Sequence, residues 1–361
     1  MKAAVLREVN QPLVIEDVAT GDPGPREVLI RTAAAGVCHS DLHFHNGAYP
    51  YPLPAVLGHE SAGVVEAVGS DVHYVKPGDH VITCLSAFCG HCEYCLTGRM
   101  VLCSEPELAR DIDEPPRLST GGETINQFLH LSSFAEEMLI HEHALAKIRD
   151  DMPLDRAALI GCAVTTGVGA VIHTAGIEPG STVAVIGCGG VGLSCINGAE
   201  IAGAGRIIAI DTVASKLELA RTFGATDVVN AAEEDPIGMV RELTGGGVHY
   251  SFEAIGLKVT TEQAFKMIRN GGTATVIGMI PVGTMVDIHG PEFLREKKLQ
   301  GSSMGSNRFR VDMPWLVDFY LAGKLRLDEM ISNRIRLEDV NDALSALETG
   351  EVARNVIVFD S

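Results

Sequence analysis

Four cysteines within fifteen residues, Cys89, Cys92, Cys95 and Cys103, constrain this chain more than any other feature. The spacing C-x2-C-x2-C-x7-C reads as one closed tetrahedral zinc site, with four thiolates and no position left open for chemistry. Two residues between ligands let a tight turn aim successive sulfurs at one ion. The longer gap then brings the chain round to close the shell. Gly90 and Gly98 supply the backbone freedom such knuckles need. The work of such a site is folding, because it pins a loop with little core of its own. Four unrelated buried cysteines are the alternative, and their clustering among nine in the chain argues against it. A disulfide framework suits a short secreted domain rather than 361 residues. The opening Met1-Lys2-Ala3-Ala4-Val5-Leu6-Arg7 has no long apolar stretch and reads as an edge strand, not a signal peptide. The expected compartment is a reducing cytoplasm.

This length predicts two domains. A formal net charge of -19 argues against nucleic acid and against an anionic membrane surface, both of which reward Lys and Arg. Two stretches without Asp, Glu, Lys or Arg, Ala157–Ile177 and Pro179–Ala199, are long enough to span a bilayer. Their glycines and small residues favour buried strand and helix segments instead. Val28–Ala33 and Gly63–Val68 read as short strands, with turns at Gly24-Pro25 and Lys76–Asp79. From Ser181 strands and helices alternate. Strands are expected at Val183–Ile186, Arg206–Ile210, Asp227–Val229, His249–Glu253 and Thr273–Ile277, and helices at Val191–Ala202, Ala214–Phe223 and Thr260–Arg269. That alternation predicts a doubly wound parallel α/β sheet. After Gly301 the pattern is mixed, with helices at Pro314–Ala322 and Leu337–Leu347 and a closing strand at Asn355–Phe359. The loop Cys103–Leu131, with Pro115-Pro116 and Gly121-Gly122, is expected to be exposed and irregular.

Gly187-Cys188-Gly189-Gly190-Val191-Gly192 follows an apolar strand and opens an apolar helix, the context a dinucleotide fingerprint requires. Gly187 permits the turn, Gly189 admits a pyrophosphate and Gly192 allows close helix–strand packing. The helix N-terminus stabilises the phosphate charge. Asp211, about twenty residues on, ends the next strand and suits the ribose hydroxyls while repelling a 2′-phosphate, so NAD is expected over NADP. Cys188, inside the loop, is a candidate for oxidation that hinders cofactor binding. A second metal site with an open position needs three protein ligands. Cys38, His59 and Cys162 are candidates, each a weak signal alone.

Cys38-His39-Ser40-Asp41, Gly58-His59-Glu60, the four-cysteine lobe, Cys162 and the glycine loop occur in the order found in zinc-dependent medium-chain alcohol dehydrogenases. The resemblance covers essentially the whole chain, including the long loop, which is similar to the insertion of the animal and glutathione-dependent (class III-like) branches. It implies a β-rich GroES-like catalytic domain from residues 1–163 and 304–361, carrying the structural lobe at 89–103, and a Rossmann NAD-binding domain at 164–303. It implies two zinc ions per chain: a catalytic one on Cys38, His59 and Cys162, and a structural one on Cys89, Cys92, Cys95 and Cys103. Glu60 would stand behind the catalytic metal, and Asp41 would fix the tautomer of His59. Ser40 would touch the alcohol oxygen and His43 would pass its proton to solvent. His39 and Arg354 match pyrophosphate positions, Lys216 a ribose position and Thr166 a position near the nicotinamide.

The activity this implies is reversible oxidation of primary aliphatic or aromatic alcohols to aldehydes, in a homodimer or a tetramer, with no nucleic acid or membrane partner. Phe44, Tyr49, Leu53, Phe128, Leu129 and Met279 are candidates to line the substrate site. Glutathione-dependent formaldehyde dehydrogenases of the family carry an arginine four residues after the last structural cysteine. Here Glu107 stands there with Glu105 nearby, and Arg110 is close enough to substitute. An acidic loop there should repel a glutathione adduct, and those enzymes also usually lack a histidine where this chain has His43, so both departures point to a plain alcohol or aldehyde; oxidation of a thiol adduct is the alternative activity. A zinc-stabilised NAD-binding sensor is the alternative without catalysis.

Overall fold

A computed structural model describes residues 1–104, 108, 110, 113–349 and 353–360. The chain divides into two compact units. One comprises Met1–Cys162, Arg308–Gly323 and Ile331–Ser361; the other comprises Ala163–Asn307 and Lys324–Met330. The layout of an inserted unit between two chain ends is the expected one, but the second junction falls at Asn307/Arg308 rather than 303/304. Lys324–Met330 also belongs to the inserted unit, a correction to the expected 304–361 segment. Asn197 accounts for it. Its amide donates to the Lys324 carbonyl (3.2 Å) and accepts the Arg326 N–H (3.0 Å), while Arg326 reaches Glu200 at 3.1 Å.

The inserted unit is built on six parallel strands in the spatial order Asp227–Asn230, Arg206–Asp211, Thr182–Ile186, Val248–Glu253, Ile268–Val276 and Lys298–Gly301. In chain order this is 3-2-1-4-5-6, the Rossmann arrangement, with the reversal beside Thr182–Ile186. The central strands Thr182–Ile186 and Arg206–Asp211 are apolar, buried runs because helices cover both faces of such a sheet, while the edge strand Lys298–Gly301 is polar and partly exposed. Gly190–Ile201, Ala214–Thr222 and Lys258–Met267 are helices close to their expected bounds. Pro236–Thr244 is a further helix, not among those expected. Its ends are clearly marked: Asp235 accepts the N–H groups of Ile237 and Gly238, Pro236 opens the first turn, and Gly245 closes it at φ 64°.

In the other unit the eleven-residue strand Glu27–Val37 is central. It pairs with Ser61–Val68, Glu137–His141 and Asn355–Val358. A second sheet contains Lys2–Leu6, which is flanked by Val14–Asp17 and Ala55–Val56. The expected edge strand is therefore interior, as the complete burial of Ala3, Ala4 and Val5 requires. The loop after Cys103 also departs from expectation. It contributes Leu108, Leu118, Phe128 and Leu131 to the core, and its Leu118–Thr120 strand pairs with Ala19–Thr20. Arg110 and Arg117 tie it down through the buried carboxylate of Glu27, which they and the Gly24 N–H hold at about 2 against the upward push of burial. Leu154–Ala175 is apolar and long enough to cross a membrane, with 83% of its most apolar window buried inside the protein.

Candidate active site

Cys38 ends the turn after strand Glu27–Val37 and caps the short helix His39–His45. His59 precedes strand Ser61–Val68, and Cys162 lies in a π-helical turn, Ile160–Val164. These elements bring the two sulfurs and an imidazole nitrogen within 4.8 Å of one another, all buried. Asp41 organises them. Its Oδ1 accepts the His59 Nδ1–H at 2.9 Å and the Gly58 N–H at 3.2 Å, and its Oδ2 accepts the Cys38 N–H at 3.0 Å. His59 Nε2 is thereby the nitrogen left for a metal, buried and without a hydrogen-bond partner. Burial pulls the imidazole down, but Asp41 and Cys38 push it well above its ordinary value. Zinc would displace that proton, and two thiolates and the imidazole fit the ion with a fourth position for substrate.

The hydrogen bond from Cys162 holds the Cys38 thiol well below the ordinary thiol range, against burial and with help from the charge of Arg354. The same hydrogen bond, with burial, pushes Cys162 up. Ser40 Oγ lies 3.8 Å from Cys38 Sγ. His43 is half-buried, its ring 6.1 Å from Tyr49, and burial moves it below its ordinary value rather than leaving it there. Its neutral form, the one that can accept a proton, is favoured. Glu60 is wholly buried with Arg354 Nε 3.3 Å from its Oε1. A Cβ on Gly36 would lie 2.2 Å from that oxygen, so only glycine leaves room for the pair. Arg354 also donates to the Val37 carbonyl at 3.0 Å and is 2% exposed. The structure thus sets Arg354 against Glu60, while His39 is exposed at the start of its helix.

Phe44, Tyr49, Tyr51 and Phe128 form an aromatic cluster that reaches His59, with Phe128 5.9 Å from the imidazole. Leu53 and Leu129 border the same core. Tyr51 was absent from the expected lining, though its place two residues from Tyr49 in the same turn was a signal. Met279 lies in the other unit.

The four-cysteine lobe closes on itself. Its sulfurs lie within 4.8 Å of one another, with separations of 3.5 Å for Cys92–Cys95 and 3.9 Å for Cys89–Cys95 and Cys92–Cys103. A tetrahedron of ~2.3 Å zinc–sulfur bonds has edges of about 3.8 Å. These distances are too long for disulfides. The N–H groups of His91 and Cys92 point at Cys89 and bring its thiol down to about 6, while burial raises Cys95 to about 12.

In the inserted unit Gly187 turns at φ 93°, and a Cβ on Gly192 would lie 1.7 Å from the Gly187 carbonyl. A Cβ on Gly189 would meet nothing within 4 Å, which leaves the space a pyrophosphate needs. Gly190, Val191 and Gly192 form the first turn of the following helix. Asp211 ends its strand as expected and also braces the loop, with Oδ2 accepting the Cys188 N–H at 2.8 Å. Lys216 lies in the first turn of Ala214–Thr222. Thr166 is buried, its hydroxyl 3.3 Å from Met304 Sδ. Cys188 is completely buried and burial raises its thiol, so the expected oxidation site is inaccessible.

Two family models match this chain: an alcohol dehydrogenase GroES-like domain over residues 24–150 and a zinc-binding dehydrogenase over residues 190–320. The alcohol dehydrogenase class-3 of Zea mays is 40% identical over 367 residues, covering 99% of this chain and 96% of that protein. The benzyl alcohol dehydrogenase of Acinetobacter calcoaceticus superposes with a TM-score of 0.94 at 33% identity, covering 99% of both chains. A zinc-binding dehydrogenase of Sinorhizobium meliloti, solved bound to NADP, superposes with a TM-score of 0.82 at 28% identity over 99% of each chain. The chain belongs to the zinc-dependent alcohol dehydrogenase family of medium-chain dehydrogenases, and is an oxidoreductase of that type.

Proposed function

We propose that the protein reversibly oxidises simple primary alcohols, aliphatic or aromatic, to aldehydes with NAD, using one zinc at Cys38, His59 and Cys162 and a second at the four-cysteine lobe. The observation that carries this reading is the buried convergence of those three ligand atoms, oriented by Asp41, with Ser40 beside Cys38. Zinc held there supplies Lewis-acid polarisation of the alcohol oxygen. Ser40 would accept the alcohol's hydroxyl proton while passing its own toward neutral His43, on the same helix, and so to solvent, as the carbon gives its hydride to NAD. Phe44, Tyr51 and Phe128 give the site an apolar wall that excludes water and suits an aromatic or alkyl group. Asp211 supports NAD over NADP because a 2′-phosphate would meet its carboxylate.

Resemblance to class-3 relatives keeps a thiol adduct of formaldehyde as the second reading. Glu105 and Glu107 lie outside the described residues, but Arg110 speaks against it. Its guanidinium is taken up by Glu27, the Pro115 carbonyl (2.7 Å) and the Asp22 carbonyl (2.6 Å), which leaves it poorly placed to bind a substrate carboxylate. The deciding experiment is NADH formation with a panel of aliphatic and benzylic alcohols, beside formaldehyde with glutathione. Turnover of plain alcohols that is lost in Cys38→Ala and His59→Ala supports the proposal. Turnover of the thiol adduct alone overturns it, and silence across the panel in zinc-loaded, NAD-binding protein shifts weight to a sensor. A homodimer through the edge strand Lys298–Gly301 is part of the proposal. That strand pairs on one side only among the described residues, and Met285 and Leu294 of the same unit are 77% and 89% exposed. Sedimentation tests it.

A further inference from the structure

We propose that Glu253 is a positioning residue for the dinucleotide, acting through the turn Ala254–Gly256 and setting how tightly the cofactor is held without touching it. The inference rests on the nicotinamide-cofactor reading above. Glu253 ends strand Val248–Glu253 and stands in register with Ile186 on one side and Val276 on the other. It therefore lies at the carboxyl edge of the parallel sheet, beside the strand that delivers Gly187, where strand order reverses and ligands bind.

A carboxylate is a costly choice at this position. Glu253 is completely buried, and a buried carboxylate is tolerated only when donors surround it. Its donors are local and all fall on Oε1, while Oε2 is buried without a hydrogen-bond partner. Oε1 accepts the Ile255 N–H at 2.9 Å, the Gly256 N–H at 2.8 Å and the Thr260 hydroxyl at 2.8 Å. Three donors on one oxygen fold the chain back immediately after the strand, and Gly256 takes the φ of 92° that this reversal needs. The Glu253 carbonyl meanwhile accepts the N–H groups of Ile277 and Gly278 at 2.8 and 3.1 Å. One residue thus fixes both segments that leave the sheet at this edge.

The turn has almost no slack. A Cβ on Gly187 would lie 2.5 Å from Ile255 Cγ1, so the Ile255 side chain rests directly on the first glycine of the loop. On the other side, a Cβ on Gly278 would lie 2.0 Å from the Gly256 nitrogen, and one on Gly256 would lie 2.5 Å from the Met279 carbonyl. Released from Glu253, the turn can relax only by moving Ile255, which rests on Gly187, or the Gly278 segment packed against Gly256. Such a shift alters cofactor binding before it alters chemistry.

The test is NADH affinity of the zinc-loaded wild type, Glu253→Gln and Glu253→Ala, read by NADH fluorescence and calorimetry, with urea unfolding run beside them. Gln retains an oxygen for the three donors and Ala does not. Ala is expected to weaken NADH about tenfold, the scale of one or two lost hydrogen bonds, and to speed its dissociation, with Gln within about threefold of wild type. The alcohol KM at saturating cofactor should not move in either. Equal affinity in all three proteins, with only the unfolding midpoint of Ala lowered, would overturn the proposal. So would a Gln variant as weak as Ala, because charge and not the turn would then matter. Should Ala fail to fold, Thr260→Val removes one donor of the three and is expected to weaken NADH about threefold; unchanged affinity there overturns the proposal as well. Wild type that binds no nicotinamide nucleotide would instead refute the cofactor reading on which the inference stands.

Discussion

Replacing Asp41 by Asn tests the organisation of the metal site with little change of shape. Asp41 is wholly buried and its two oxygens accept three donors: His59 Nδ1–H, Gly58 N–H and Cys38 N–H. Asn keeps one oxygen. If that oxygen stays on His59, the new amide N–H2 faces the Cys38 N–H, donor against donor. The loss is about one hydrogen bond to a charged group, roughly 1.5–3 kcal/mol. Part of it appears as reduced stability, because Cys38 N–H is a backbone group at the start of a helix. The rest appears at the metal, because Cys38 and His59 are both ligands and their aim depends on Asp41. Substitution of such supporting partners typically costs 10–100-fold in metal affinity or activity. Zinc retained after dialysis against graded chelator, measured with kcat/KM, reads the effect. The expected result is selective loss of one zinc at chelator levels that wild type resists, with the four-cysteine zinc kept. An Asn variant with both zincs as firmly held as in wild type and undiminished kcat/KM would refute the reasoning.

Cys103→Ser should remove one zinc and lower the unfolding midpoint while the remaining zinc stays with Cys38, His59 and Cys162; loss of both together would mean the sites are not independent. Asp211→Ser should raise use of NADP relative to NAD at least tenfold and weaken NAD too, since the carboxylate also braces the Cys188 N–H; an unchanged cofactor ratio would remove Asp211 from specificity. Burial, then His143 and Arg26, push the His141 imidazole down to about 3, so the unfolded state binds the extra proton. Nothing is lost above its ordinary value of 6.5, and below it stability falls by up to about 1.4 kcal/mol per pH unit from this group. His141→Gln should flatten the fall in urea midpoint between about pH 6.5 and 4.5; parallel curves for the two proteins would refute the assignment.

The parallel sheet was legible in the sequence because its central strands, Thr182–Ile186 and Arg206–Asp211, are apolar runs and the helices between them begin at short, local signals. Val183–Ile186 followed by the glycine loop needs only neighbouring residues to declare itself. Helix Pro236–Thr244 was missed although Ile237, Val240 and Leu243 recur at helical spacing between the caps Asp235 and Gly245, because its apolar face spans barely two turns. Lys2–Leu6 was misplaced at an edge for a different reason. Burial on both sides is a property of the partners Val14–Asp17 and Ala55–Val56, which no local pattern identifies. The loop after Cys103 reads as exposed from its prolines and glycines, yet Leu118, Phe128 and Leu131 draw it into the core.

The site divides along the same line. The zinc ligands and the loop glycines lie in short motifs whose spacing carries the chemistry. What holds them is assembled across long sequence separations and could not be read in advance. Arg354 meets Glu60 only after the C-terminal strand Asn355–Val358 has paired with Glu27–Val37, and the pair fits only because residue 36 has no side chain. Arg110 was a candidate substrate anchor by its distance from Cys103, and became a structural cation because Glu27, 83 residues away, is buried beneath it. Glu253 gave no motif at all: its role depends on a turn, a glycine at positive φ and the neighbouring loop being fixed together. A buried charge must find its partners wherever the fold brings them, so the residues that tune this site are those whose sequence neighbours say least about them.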